Sequence, residues 1–247
     1  MSIQLLTSHW HGLAHEPPYF YGTDSRELYE HNLRVQPETW FWRDRPVQYT
    51  VNSQGYRCPE WDSIDWANSI LMFGCSYQFA PGVDDTETMS SQLSTATGLP
   101  VVNLGQGATD DLFQWANTTL LYSQGVRPRA VVYLWPGCSR LSEFTGNGSV
   151  RNWGPWNAHL NPMAANWIVN ETHTRAMLEL LALNVELLWD CPVAQYYAYN
   201  YGPESWGRIG SWGCVIDQGR DLAVSGAYHT LGRKHCVVGP WIGSYLT

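Results

Sequence analysis

Short apolar runs that end at glycine mark the middle of this 247-residue chain. Ser69-Ile-Leu-Met-Phe73 stops at Gly74, Pro100-Val-Val-Asn-Leu104 closes on Gly105 and Gly107, and Arg129–Trp135 breaks at Pro136-Gly137. Runs of this length without polar alternation predict parallel strands buried on both faces. Helical stretches lie between them. One covers Thr86 to Thr97 and ends at Gly98, a residue suited to the left-handed turn after a helix. Another opens at Thr109-Asp-Asp with a good cap and an acidic first turn, and runs to about Ser123. Residues 140–165 read as loop-rich, with Gly146, Gly148, Gly154 and Pro155. Thr172–Leu183 predicts an amphipathic helix with Ala176, Leu180 and Leu183 on one side. Val185–Trp189 and Val193–Tyr199 compete for the fourth strand, and Pro192 favours the second. A helix near Leu231–Tyr245 is weakened by Gly239-Pro240.

Strand–helix alternation at this spacing predicts an open parallel sheet with helices on both faces, its ligand site beyond the carboxyl ends of the strands. Residues 1–68 show no sustained period and read as an irregular arm, with one short helix around Ser25–Leu33. The expected organisation is therefore an N-terminal arm, 1–68, packed on an α/β domain, 69–247.

Composition narrows the function. The formal net charge is −8, Lys234 is the one lysine, and the arginines are scattered. Nucleic acid is not the expected partner, because phosphate recognition needs clustered cations. No apolar segment is long enough to span a membrane, and the first ten residues lack the basic and apolar regions of a signal peptide. The six cysteines stand singly, which predicts free thiols and a cytoplasmic setting. Fourteen Trp and fourteen Tyr suit either a packed core or a sugar- or peptide-binding surface.

Ser76 is the first candidate for chemistry. A hydroxyl just past a buried strand sits on a tight turn, where neighbouring N–H groups can face a developing oxyanion. A capping serine at a strand-to-helix turn is the plain alternative. The α/β-hydrolase elbow G-x-S-x-G is absent, since Gln78 occupies its last position. His9, His11 and His15 are close in sequence but lack a fourth ligand, so no metal is expected. Gly105-Gln-Gly107 lacks the full dinucleotide pattern, and no cofactor is expected.

Three blocks share an order and spacing: Asn52-Ser-Gln-Gly55-Tyr56-Arg57, Gly74-Cys-Ser76-Tyr-Gln-Phe79-Ala-Pro-Gly82, and Asn103-Leu-Gly105-Gln-Gly107. Together they resemble SGNH/GDSL-type hydrolases, especially divergent members, over residues 47–145 and more loosely over 215–235. The resemblance implies a flavodoxin-like three-layer α/β/α fold, the SGNH hydrolase fold. It implies Ser76 as the nucleophile on an acyl ester. Oxyanion donors would be the N–H groups of Ser76 and of Gly107, with Gly105 as the alternative glycine. The family's third block is missing; Pro136-Gly137-Cys138-Ser139-Arg140 stands there, and Arg140 is a candidate substrate-binding residue or a structural partner of Glu143. The family's closing acid and base, D-x-x-H, also depart. With Asp221 as the acid, Val224 falls at the base position; with His229 as the base, Gly226 replaces the aspartate. The implied function is a serine esterase for small acyl esters, O-acetyl groups on carbohydrate among them, with His229 as base and Asp221 orienting it. The alternative is a degenerate module of the same fold that binds a glycan or peptide through Trp40, Trp42, Trp153 and Trp156.

Overall fold

A computed structural model of the chain describes residues 3–8, 26–40, 43–44, 49–80, 84–136, 140–145, 150–154, 157–197 and 207–208. Its centre is a five-stranded parallel sheet of β1 (Ile70–Gly74), β2 (Val101–Gly105), β3 (Ala130–Trp135), β6 (Val193–Tyr197) and β7 (Gly207–Arg208). Across the sheet the order is β2-β1-β3-β6-β7. Counting these strands along the chain gives 2-1-3-4-5, the flavodoxin-like winding. β1 aligns with β2 from Ile70 opposite Val101 to Gly74 opposite Gly105, and with β3 from Ile70 opposite Ala130 to Gly74 opposite Leu134.

Two apolar layers cover the sheet, one on each face. Ile70, Met72, Val132 and Leu134 pack with Tyr77 of α2 (Ser76–Phe79) and with Met89 and Leu93 of α3 (Met89–Thr97). Leu71, Phe73, Val131, Tyr133 and Trp135 pack on the opposite face. There they meet Leu121 of α4 (Asp111–Ser123) and Leu178, Leu181 and Val185 of α6 (Glu171–Leu188). The fold is a three-layer α/β/α sandwich. Burial on both faces is why β1 and β3 read as unbroken apolar runs, with single buried polar residues, Asn103 and Gln195, in β2 and β6; each large apolar side chain contributes about 1.5–3 kcal/mol. Ile3, Leu5, Tyr56, Cys58 and Trp61, which precede β1, join the same layer as α4 and α6. The short helix near the N-terminus is α1 (Arg26–Val35).

Several boundaries differ from expectation, each for a local reason. Thr88 divides the stretch expected as one helix; its extended backbone leaves a single 3-10 turn before it, and its hydroxyl caps α3 by accepting from Ser91 N. Gly98 ends α3 in the left-handed region at φ 71°. Asp110 rather than Thr109 caps α4. Val193–Tyr197 is the fourth parallel strand, while Val185 to Leu188 belongs to α6. Residues 140–165 are not simply loop. They hold an antiparallel hairpin, β4 (Leu141–Phe144) and β5 (Val150–Trp153), and the helix α5 (Pro162–Val169). Ser142 and Asn152 face each other in that hairpin and are buried, so polar residues occupy positions where apolar ones would have signalled strands. The buried face of α6 is also reversed. Leu180 and Leu183 are 53% and 55% exposed, whereas Leu178, Leu181, Ala182 and Val185 are buried. Leucines occur on both sides of this helix, and the sheet covers one of them.

Candidate active site

Strand order reverses between β1 and β3, and in such sheets the crevice beyond the carboxyl ends at that point is the usual ligand site. Ser76 is two residues past the end of β1 and opens α2. Cys75 is extended, and its carbonyl accepts from Gln78 N and Phe79 N, both at 3.0 Å, which forces an abrupt change from strand to helix. Ser76 is fully buried, with Oγ 4.0 Å from Cys75 Sγ.

Two glycines let α2 lie directly on the sheet ends. A Cβ on Gly105 would fall 2.4 Å from Phe79 N and 2.8 Å from Gln78 C; one on Gly74 would fall 2.4 Å from Gln78 Cβ. Side chains then hold the helix in place. Asn103 Nδ2 donates to the Gln78 carbonyl at 3.0 Å, and Gln78 Nε2 donates to Ser90 Oγ at 2.7 Å. At the far end, Arg57 Nη1 donates to the Phe79 and Ala80 carbonyls at 3.0 and 2.7 Å.

The turn after β2 crosses the end of β1, with Gln106 N donating to the Gly74 carbonyl at 3.1 Å. Ser76 and Gly107 thus lie on turns at the same edge of the sheet. The two glycines differ in their N–H groups. Gly105 N–H is engaged by Asn103 Oδ1 at 3.0 Å, while no hydrogen bond of the described residues uses the Gly107 N–H. Gly107 is held by its other end, its carbonyl accepting from Ser8 Oγ at 2.7 Å. Ser8 leads into a buried polar chain: Asn152 Nδ2 donates to Ser8 Oγ at 2.8 Å, and Ser142 Oγ donates to Asn152 Oδ1 at 3.0 Å. Ser142 N donates to Asp110 Oδ2 at 2.7 Å. Burial raises the Asp110 carboxyl above its ordinary range, opposed by its bonds from Ser142 and Phe113.

Ala80 at φ 61° and Ala108 at φ 62° are the non-glycine residues with positive φ among those described. One closes α2 and the other follows Gly107. Such conformations cost about 1–3 kcal/mol and cluster at functional sites. Two buried amide oxygens, Gln78 Oε1 and Gln114 Oε1, have no donor among the described residues. Gln78 packs over Gly74, and Gln114 Nε2 reaches the Leu134 carbonyl at 3.4 Å, so both flank the ends of β1 and β3.

Arg140 is buried and donates through Nη1 to the Thr109 carbonyl at 3.3 Å; Glu143 Oε2 accepts from Trp153 Nε1 at 2.8 Å. His229, Asp221 and Val224 lie outside the described residues, as do His9, His11, His15 and the C-terminal segment expected as a helix. Among the described residues no cluster of three or more His, Cys, Asp or Glu side chains is arranged to hold a metal. None of their helices is long and apolar enough to cross a membrane. Cys58, Cys75 and Cys191 are free thiols. Several tryptophans serve the interior: Trp40, Trp61, Trp135, Trp153 and Trp189 are buried. Arg57 and Asn103 stood in the blocks that carried the family resemblance, but their contacts with α2 could not be read from spacing. Gln114 and Asn152 left no signal, because each is one polar residue in an ordinary helix or hairpin.

No protein-family profile and no curated protein matches the chain. Among solved structures, AlinE4, an SGNH-hydrolase family esterase, is similar at 15% identity and a TM-score of 0.40, over 74% of this chain and 96% of AlinE4. A G-D-S-L family protein from Desulfitobacterium hafniense DCB-2 is similar at 12% identity and a TM-score of 0.32, over 53% of this chain. The match spans 58% of that protein's length. Likeness at this level assigns neither family nor activity, and the three-layer fold rests on the strand order and layers described above.

Proposed function

We propose that the chain is an SGNH-type serine esterase in which Ser76 Oγ attacks the carbonyl of a small acyl ester. His229 takes the serine proton and returns it to the leaving alcohol, and Asp221 orients the imidazole. The N–H groups of Ser76 and Gly107 receive the oxyanion, each such donor being worth roughly a hundredfold or more in rate. Arg140 binds the substrate beside them. O-acetyl groups on carbohydrate are within the substrate class. The observation that carries this proposal is the position of Ser76 past β1 at the strand-order reversal, beside a turn whose Gly107 N–H has no acceptor among the described residues. The chemistry needs no cofactor.

The competing proposal, a glycan- or peptide-binding module without turnover, draws on Val224 at the family's base position and on the missing Asn donor. It asks tryptophans to form a surface, yet Trp40 and Trp153 are buried, and Trp42 and Trp156 lie outside the described residues.

Hydrolysis of a short-chain aryl ester by wild type, Ser76→Ala and His229→Ala separates the two. The esterase predicts loss of turnover in both variants and labelling of Ser76 by a fluorophosphonate probe. Equal rates for all three proteins would overturn it. Loss in Ser76→Ala alone would remove His229 from the mechanism.

A further inference from the structure

We infer that Arg57 is a positioning residue for Ser76, acting through the carboxyl end of α2. Its consequence for rate rests on the proposal that Ser76 is the nucleophile; its effect on the helix does not. A four-residue helix cannot hold itself together, because nucleating one turn is unfavourable in isolation. The placement of α2 is therefore set by what binds it: Asn103 holds the Gln78 carbonyl within the helix, and the two ends are fixed separately. Its amino end is covalently tied to β1. Its carboxyl end finishes in Ala80, whose left-handed conformation is strained for a residue with a Cβ. A single guanidinium group binds the two carbonyls at that end, Phe79 and Ala80, at 3.0 and 2.7 Å.

Arg57 is itself fixed. Its side chain is 2% exposed, and Nε pairs with Asp85 Oδ1 at 2.6 Å. The guanidinium lies over the Tyr49 ring, 4.7 Å from its centroid, and near the Phe79 ring at 5.8 Å. Asp85 is held in turn, its second oxygen accepting from Thr50 N at 2.8 Å. A cation here also suits the carbonyl end of the helix electrostatically. Lysine could reach one carbonyl, but it cannot reproduce the planar fork that serves Asp85 and both carbonyls together.

The chain before the sheet therefore braces the turn that carries the serine. Asn52 shapes this brace, its Oδ1 accepting from Gln54 N and Tyr56 N at 3.0 Å each. Gly55 offers its carbonyl to Gln106 Nε2 at 2.9 Å. One compact turn thus contacts the residue before Gly107 and, through Arg57, the helix that begins with Ser76.

The test compares wild type, Arg57→Gln, Arg57→Lys and Asp85→Asn by two measurements. The first is local hydrogen exchange of the α2 amides, together with alkylation of the buried Cys75 thiol, with the β1 amides and the Cys191 thiol as internal controls. Arg57→Gln is expected to accelerate α2 exchange and Cys75 alkylation at least about tenfold, as for a lost bond to a charged group, while β1 stays protected. Asp85→Asn, which keeps the guanidinium, should shift them in the same direction but less, and it carries the test if Arg57→Gln does not fold. The second measurement is ester turnover and fluorophosphonate labelling. Here kcat and labelling should fall with KM within about twofold, and Arg57→Lys should recover part of the loss. Unchanged α2 exchange and Cys75 alkylation in Arg57→Gln or Asp85→Asn would overturn the positioning role, whatever the activity. Faster local opening in a protein whose wild type neither hydrolyses esters nor labels would keep the brace and discard the nucleophile.

Discussion

Gly105→Ala is predicted to displace Ser76 without touching it. The added Cβ would meet Phe79 N at 2.4 Å, where ordinary contact begins near 3.4 Å, so α2 must lift by about 1 Å. The obstacle is backbone and cannot rotate away. Overpacking of this kind costs about 1–3 kcal/mol, and a domain of this size loses about 2–4 °C of Tm per kcal/mol. A shift of about 1 Å at a nucleophile can lower turnover on the order of a hundredfold. Gly98→Ala is the matched control: Gly98 has φ +71° and nothing within 4 Å of its virtual Cβ. It should cost about 1–2 kcal/mol of stability through left-handed strain alone and leave the site intact. Thermal melts with the fluorophosphonate labelling rate of Ser76 would read both effects. Labelling of Gly105→Ala at the wild-type rate, or equal slowing in Gly98→Ala, would refute the claim that the close approach of α2 to the sheet sets the serine.

Two further outcomes bear on the buried polar groups. The Asp110 carboxyl is raised in the folded state, so between the ordinary aspartate range and its raised value the native protein holds more protons than the unfolded chain; stability should fall as pH rises through that window. Melts of Asp110→Asn as a function of pH should lack that decline, and an identical pH slope in the two proteins would remove the assignment. Tyr133→Phe takes away the oxygen that accepts from Trp189 Nε1 at 2.8 Å, leaving a buried donor unpaired at a cost of about 1–3 kcal/mol. Urea unfolding would measure it, and an unchanged midpoint would count against that bond.

The same chemistry explains where the aromatic residues went. Phe73, Tyr133 and Trp135 stack at 4.9 and 4.8 Å with interplanar angles of 7° and 8°. Their polar atoms are answered inside the protein: Trp135 Nε1 donates to Gln195 Oε1 at 2.9 Å, and Tyr133 OH bonds with Thr118 Oγ1 at 2.8 Å. Tryptophan content alone could not separate this interior use from a recognition surface, because a buried indole with a partner and an exposed one are the same residue in the chain.

Local signals in the chain were sufficient for the first four strands of the central sheet, while the two-residue β7 (Gly207–Arg208) left none. Ile70–Phe73 and Ala130–Trp135 are apolar without alternation because both faces of each strand are buried, Val101–Leu104 departs only at Asn103, and glycines end β1 and β2 where α2 must pass close. Gly98 likewise announced the end of α3 through its backbone freedom. Long-range packing settled matters that no window of residues contains. Leu178 and Leu180 are equally apolar, and contact with the sheet buries the first while leaving the second half exposed. Ser142 and Asn152 look like loop residues until Ser8, more than 130 positions earlier, accepts from Asn152, which accepts in turn from Ser142. Ser76 followed both patterns. Its place after β1 was legible from a short apolar run and a glycine, whereas its orientation depends on Arg57, Asn103 and Gly105, which approach α2 from separate parts of the chain.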